Sequence, residues 1–291
     1  GRVEDIMPAK EATAGRLIKA VIGSRTWEGS ARKAGQARKI KEKAILEVEG
    51  LSVCNDKGHL ALDDVSFSLR PGEVFAVAGV AGSGQRELAE TLAGLRKPVS
   101  GRIMMHNGEI TKTDAKQRIA AGISFIPEDR LKMGLVPGMN MKQNLILKSL
   151  KKGECSKAGI LLDKSVRAMT GKVAQAYDIK SGGMDLPVSM MSGGNQQKLL
   201  AAREISGEPV FLIAAYPVRG LDIGAAEAIH HILREQSGKG TCILLISEEL
   251  DEIFAMSDRV AVLCDGKLVG IRNTAETDYE EIGRLMSGES A

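Results

Sequence analysis

Two short segments of this 291-residue chain carry residue types and spacings that suit phosphate chemistry. The first is Met191-Ser192-Gly193-Gly194-Asn195-Gln196-Gln197-Lys198, which opens a helix expected over Asn195–Ile205. Its two glycines let the backbone approach a ligand closely. The first-turn N–H groups of a helix lack intrahelical partners, so such a terminus attracts anions. Ser192 is a natural N-cap and a hydroxyl donor. The second segment is Gly79-Val80-Ala81-Gly82-Ser83-Gly84-Gln85-Arg86. Gly79 and Gly84 keep the spacing of the phosphate loop G-x-x-x-x-G-K-[S/T], and Gly82 adds freedom. The backbone cradle can form, but its two chemical side chains are replaced. Gln85 stands where the lysine belongs, so the charge that stabilises the β- and γ-phosphates is lost. Arg86 stands where the Mg²⁺-binding hydroxyl belongs; it supplies charge but cannot ligate a cation. Each segment alone also reads blandly, as a capped helix or a structural turn.

The elements around these segments are those that present phosphate loops. Glu73–Ala78 is an apolar run that leads into the glycine loop and a helix starting near Arg86, a strand–loop–helix unit. Ile45–Glu49 and Val65–Leu69 largely alternate apolar and polar residues, as half-buried strands do, with a turn at Asn55-Asp56-Lys57-Gly58. Gly101–Met105 and Ile123–Ile126 read as further strands. Residues 131–190 lack strand signals and read as helical, with polar connections such as Lys151-Lys152-Gly153. Val210–Ala214 and Thr241–Ile246 suit buried parallel strands. Ala225–Gln236 and Leu250–Met256 read as helices, and Val260–Cys264 with Lys267–Ile271 as a closing hairpin. The alternation predicts an α/β fold: a mostly parallel sheet flanked by helices, an antiparallel β subdomain and an inserted helical subdomain.

Composition bounds the rest. The chain is long enough for one large domain with extras. The net charge of +3 gives no argument for nucleic acid. Cys54, Cys155, Cys242 and Cys264 lie far apart and read as reduced thiols, with neither a disulfide frame nor a zinc site. No apolar run reaches the length of a membrane span. From Lys10 to Lys43 ten lysines and arginines face three acids, which reads as a flexible basic linker over residues 1–44, with Ala12–Ile22 able to form a short helix. A membrane-surface or nucleic-acid role for this stretch is the alternative. Opening at Gly1 without a methionine, the chain reads as a piece of a longer protein.

The string M-S-G-G-N-Q-Q-K resembles the signature motif of ABC-transporter ATPase domains, in the form found in importers for sugars and nucleosides. Other segments resemble the same family in the right order. Pro217-Val218-Arg219-Gly220-Leu221-Asp222 is similar to the segment after Walker B, with Asp222 in the D-loop. Ile126-Pro127-Glu128-Asp129-Arg130 is similar to the Q-loop region, with Glu128 in place of glutamine. Leu244–Leu250 is similar to the switch segment, with Glu248 where members often carry histidine. The resemblance covers residues 45–291 and implies the P-loop NTPase-like ABC ATPase core, with the helical subdomain at about 131–190.

The resemblance also implies what is lost. After Val210–Ala214 the family places Asp-Glu, for the metal shell and the attacking water; here Ala215 and Tyr216 follow. No aromatic residue stands near Asp56, where the family often stacks adenine. Nucleotide contacts are expected at Gly79, Gly82, Ser83, Gly84, Gln85, Arg86 and Glu128, with little or no hydrolysis there. In the family, two domains pair head to tail, each ATP lying between one P-loop and the other's signature. Ser192, Gly193, Gly194, Asn195 and Gln196 would then complete a partner's site. The helix at Ile282–Gly288 and the basic stretch before residue 45 are similar to the end of a first domain and the linker to a second, which implies a second, degenerate nucleotide-binding domain. The implied partners are an upstream ABC ATPase domain of the same polypeptide, transmembrane permease subunits and, indirectly, a substrate-binding protein, with no nucleic acid. ATP and Mg²⁺ are the implied ligands, with binding at the partner's site alone as the alternative. The implied location is the cytoplasmic face of the plasma membrane.

Alternatives stay open: an autonomous homodimeric transport ATPase, a non-hydrolysing nucleotide sensor, or a soluble ATPase of translation or repair. His59, His106 and the pair His230-His231 lack a metal-ligand pattern. Met139, Met141, Met184, Met190 and Met191 read as core filling or, alternatively, as a contact surface for a membrane subunit. Trp27 reads as exposed or weakly packed.

Overall fold

A computed structural model describes residues 43–106, 108–148, 155–157 and 160–288. The helix expected at Ala12–Ile22, Trp27, nearly all of the basic stretch and Lys151-Lys152-Gly153 lie outside the described residues.

Two sheets meet across one core. The larger has six strands: β3 (Val74–Ala78), β6 (Ile123–Ile126), β9 (Phe211–Ala215), β10 (Cys242–Ile246), β11 (Arg259–Cys264) and β12 (Lys267–Asn273), in the order β12-β11-β3-β10-β9-β6. All neighbours are parallel except β11 and β12. Strands β3, β9 and β10 are buried at every position, which is why their sequences are unbroken apolar runs rather than alternating ones. The smaller sheet is antiparallel, in the order β2-β1-β4-β5, from β1 (Leu46–Cys54), β2 (Leu60–Leu69), β4 (Ser100–Met105) and β5 (Gly108–Glu109).

Helix α1 (Gln85–Leu92) lies between the sheets, where Leu88 and Leu92 share a core with Leu46, Phe67, Phe75 and Leu244. Phe67 and Phe75 stack across it at 5.4 Å. On the other face of the large sheet, α5 (Gly193–Ile205) and α6 (Ile223–Gly238) bury Leu199, Leu200, Ile229 and Leu233 against Leu212, Ile243 and Leu245. Helices α7 (Leu250–Met256) and α8 (Tyr279–Met286) close a third cluster around Ile253 and Ile282. The expected α/β architecture with an antiparallel subdomain is the one observed.

The stretch at 131–190 differs from expectation. It holds α3 (Met141–Ile146) and α4 (Asp163–Ala176), but also a two-residue hairpin, β7 (Ser156–Lys157) with β8 (Ile160–Leu161). Strands this short carry no readable alternation. The stretch is preceded by a π-helical turn at Arg130–Gly134, and a short helix α2 (Ala115–Ala120) stands on an Asp114/Gln117 capping box. Neither was anticipated.

Candidate functional site

The glycine loop follows β3 directly. Gly82 and Gly84 take left-handed φ values of 94° and 100°, where L side chains are strained. A Cβ on Gly84 would also fall 2.4 Å from the Ala61 carbonyl oxygen. The loop therefore has the backbone of a phosphate cradle, with α1 starting from it. Its side chains are turned elsewhere. Gln85 is 2% exposed, and its Nε2 donates to the Val80 carbonyl at 3.1 Å, folding back across the loop. Ser83 is equally buried, and its hydroxyl has no hydrogen-bond partner among the described residues. Arg86 turns to Glu90, with Nε 2.7 Å from Oε1, and to Asp56 at 3.5 Å. Arg96 holds the same two carboxylates at 2.7 and 2.6 Å.

The ends of β6, β9 and β10 meet at the same rim of the sheet, the rim where open α/β sheets bind ligands. Ala215 closes β9 and is buried. Tyr216 follows with φ of 48°. Burial and the nearby Glu248 and Glu128 carboxylates push its phenol above the usual tyrosine range. Its hydroxyl lies 3.4 Å from Glu248 Oε1. The Arg219 guanidinium sits 5.3 Å from the Tyr216 ring centre and pairs with Glu128. Glu128, Arg219, Tyr216 and Glu248 thus join three loops into one chain of contacts.

These groups open onto a cavity of about 650 Å³ lined by Arg86, Glu90, Glu128, Ala215, Tyr216 and Arg219, among others. The sequence-selected positions Arg86, Glu128, Ala215 and Tyr216 are therefore brought together, with Glu248 held against Tyr216. A divalent cation does not fit this donor set. Arginine, alanine and a protonated phenol occupy the positions of its ligands, and Glu128 is engaged by Arg219. Among the described residues no group of three His, Cys, Asp or Glu side chains is placed to hold a metal.

The segment Met191–Lys198 meets the cavity wall through Arg130, and its helix starts two residues earlier than expected, at Gly193. Exposed Ser192 is the N-cap; its Oγ accepts from Asn195 Nδ2 at 2.8 Å and faces the Asn195 N–H at 3.5 Å. Asn195 Oδ1 accepts the Lys180 N–H at 2.8 Å. Gln196 Nε2 donates to the Val188 and Met191 carbonyls, and Gln197 Nε2 to that of Pro217. Gly194 is sterically required, since a Cβ there would fall 2.8 Å from Ala225 Cβ, whereas one on Gly193 would fall 2.8 Å from Arg130 Nη2, the movable end of a long side chain. Asp222 caps α6 by accepting the Ala225 N–H at 2.9 Å, beside the same turn.

Arg130 and Arg219 stand within the motif strings but were given no role by sequence reasoning. One bridges the cavity wall to Gln196 Oε1 at 3.3 Å; the other ties Glu128 to Tyr216. His230 is bound to Glu252 at 2.9 Å. The methionines divide: Met141 is core, Met184 and Met191 pack against the same core, and Met190 is exposed. No helix among the described residues is long and apolar enough to cross a membrane.

Residues 62–217 match the family model described as ABC transporter. The chain is 35% identical over 288 residues to the nucleoside import ATP-binding protein NupA of Lactococcus lactis subsp. cremoris, covering 99% of this chain and 56% of that protein. It is 38% identical over 246 residues to the guanosine import ATP-binding protein NupO of Bacillus subtilis, covering 84% and 48%. The chain thus spans about half the length of the curated relatives it matches. Among solved structures, the ATP-binding cassette MJ1267 of an ABC transporter superposes with a TM-score of 0.69 at 24% identity, over 84% of this chain and 96% of that one, a likeness of fold.

Proposed function

The chain belongs to the ABC transporter family of ATP-binding domains, and on that footing we propose that it is the degenerate half of an importer ATPase for a nucleoside or sugar. Residues 45–291 form the nucleotide-binding domain and residues 1–44 the basic linker that joins it to an upstream ABC ATPase domain. The relatives named for nucleoside and guanosine import, each about twice as long as the matched stretch, support this arrangement. Permease subunits, and through them a substrate-binding protein, are the further partners, at the cytoplasmic face of the membrane.

One observation carries the reading: the turn at Ser192–Gly194 is fully built, whereas the loop at Gly79–Arg86 has no lysine, no metal ligand and no carboxylates behind it. The chain's own site hydrolyses ATP poorly or not at all. Its signature turn completes the competent site of the partner, where ATP is bound with Mg²⁺. There Ser192 and the N–H groups of Gly193 and Gly194 meet the γ-phosphate, with the positive end of α5 behind them. Asp222 shapes the contact from the start of α6. Such donors act on charge that develops in the transition state, and removing one typically costs ~10²–10³ in rate.

The test is ATP hydrolysis by the upstream half and this chain together, with and without Ser192→Arg. Activity of the pair that disappears in the variant, beside no turnover by this chain alone, supports the reading. Turnover by this chain alone, abolished by the same substitution, would instead establish an autonomous homodimeric ATPase. Tight ATP binding with no turnover and no effect on the upstream half would establish a sensor.

A further inference from the structure

We propose that the cavity beside this chain's own glycine loop is a metal-independent polyphosphate site, in which the guanidinium groups of Arg86 and Arg219 take the place of a divalent cation and its carboxylate shell. The site does not require a partner domain.

The cavity is large enough for a small ligand, at about 650 Å³. Its walls carry four cationic side chains, Arg86, Arg130, Lys132 and Arg219, against three carboxylates. Those carboxylates are already engaged. Glu90 is shared by two guanidinium groups, Arg86 at 2.7 Å and Arg96 at 2.7 Å. Glu128 is held by Arg219. Asp129 Oδ1 accepts the N–H groups of Leu131 and Lys132 at 3.1 and 3.0 Å. Those hydrogen bonds hold its carboxyl below the usual range. Arg130 is left over: among the described residues its guanidinium donates to the neutral amide of Gln196 at 3.3 Å and meets no carboxylate. An anion entering the cavity therefore meets Arg130, which no carboxylate among the described residues holds, together with the paired guanidinium groups of Arg86 and Arg219. Guanidinium is also the cation whose donors match phosphate oxygens in pairs. The glycine loop borders the cavity through Arg86, the residue that follows Gln85 at the start of α1.

The same walls repel a metal. No group here replaces the metal ligands lost at Arg86 and Ala215, and the Tyr216 phenol stays neutral. A Mg²⁺ carried in on a polyphosphate would sit beside Arg86, with each carboxylate of the walls already engaged by a cation or by backbone N–H groups, and would also reduce the ligand's negative charge. One poorly screened like-charge contact weakens binding by about tenfold or more. The dependence is thus opposite to that of an intact phosphate loop, in which Mg²⁺ is part of the bound ligand.

Calorimetric titration of this chain with ATP, and separately with inorganic pyrophosphate, in EDTA and then in excess Mg²⁺, tests the site. The expected result is binding of both in EDTA, about tenfold or more weaker in Mg²⁺, and lost in Arg86→Gln. That variant keeps its fold because the Arg86 side chain is largely exposed and Glu90 retains Arg96; an unchanged Tm checks this. Arg284→Gln on α8, titrated in parallel, leaves the affinity unchanged, so the loss in Arg86→Gln is not the general effect of removing an exposed cation. Binding that requires Mg²⁺, or no binding of either anion in EDTA, overturns the proposal. Binding of ATP without pyrophosphate also overturns it, because the ligand would then be read by its base.

Discussion

The Tyr216 hydroxyl lies 3.4 Å from Glu248 Oε1, so the residue in the position of the catalytic base is held by the residue in the position of the switch. A phenol that burial keeps protonated cannot take a proton from water. Replacing it alone does not restore the rest. In Ala215→Asp/Tyr216→Glu, Gln85 still folds onto Val80 and Arg86 still faces Glu90. The Mg²⁺-dependent ATPase rate of that double variant is expected to stay at the no-enzyme control. Adding Gln85→Lys and Arg86→Thr should raise it, because general-base loss by itself typically accounts for ~10²–10⁴ in rate. Turnover in the double variant would place the whole defect in Ala215 and Tyr216, at the end of β9.

The three tyrosines are shifted in the same direction in three separate places. Burial, reinforced by Glu235 at Tyr177, by Glu248 and Glu128 at Tyr216 and by Asp251 at Tyr279, pushes all three phenols up. In the unfolded chain they ionise near the ordinary value of about 10. Their folded values are raised, so the stability tied to them is complete below that pH and is lost as pH climbs through the folded values. Absorbance at the phenolate band in native protein should rise at distinctly higher pH than in denaturant. Coincident native and denatured curves would contradict the burial argued for Tyr216.

Gly194 is fixed by packing as well as by ligand access. A Cβ there would sit 2.8 Å from Ala225 Cβ, between α5 and α6. Two helix backbones cannot yield by small torsions, so Gly194→Ala acts as overpacking, at ~1–3 kcal/mol. At ~2–4 °C per kcal/mol for a domain of this size, Tm should fall by several degrees in a thermal scan. Because Asp222 caps α6 beside the same contact, activity of the assembled pair should fall with it. An unchanged Tm would show that the two helices are not in contact as described.

Much of this was legible in the sequence because phosphate chemistry leaves fixed spacings. Gly79 and Gly84, the Ser192–Gly194 turn and the buried runs of β3, β9 and β10 were all marked by residue type. The geometry that ties them together was not. Arg219 and Glu128 are 91 residues apart, and nothing local pairs them. Gln85 reads as the loss of a lysine; that its amide closes on Val80 depends on the loop's shape. The hairpin Ser156–Lys157/Ile160–Leu161 is too short to show a period, and the π-helical turn at Arg130 has no sequence signal distinct from an ordinary helix start.

Arg118 is the clearest residue that sequence reasoning passed over. It is 1% exposed and meets no carboxylate among the described residues. Its guanidinium donates to the carbonyls of Thr91 at 2.6 Å, Leu92 at 2.7 Å and Ile110 at 2.9 Å. Desolvation pulls its pKa down to about 10, which leaves it charged at neutral pH. Two of its acceptors are the last carbonyls of α1, which have no intrahelical donor, and a cation suits that end of a helix. Arg118 therefore anchors the far end of the helix that starts from the glycine loop. Arg118→Met keeps the length and apolar contact but strands the Leu92 carbonyl, whereas Thr91 keeps the Gly94 N–H and Ile110 keeps the Thr113 N–H and hydroxyl; one unsatisfied buried carbonyl costs ~1–3 kcal/mol. A net loss of ~1–3 kcal/mol is therefore expected in denaturant unfolding, with the m-value unchanged. Arg118→Lys should fall between, since an ammonium keeps the charge but cannot span acceptors on two segments. If Arg118→Met lies within about 1 kcal/mol of the parent chain, less than the cost of one stranded carbonyl, then α1 is held by its apolar face alone.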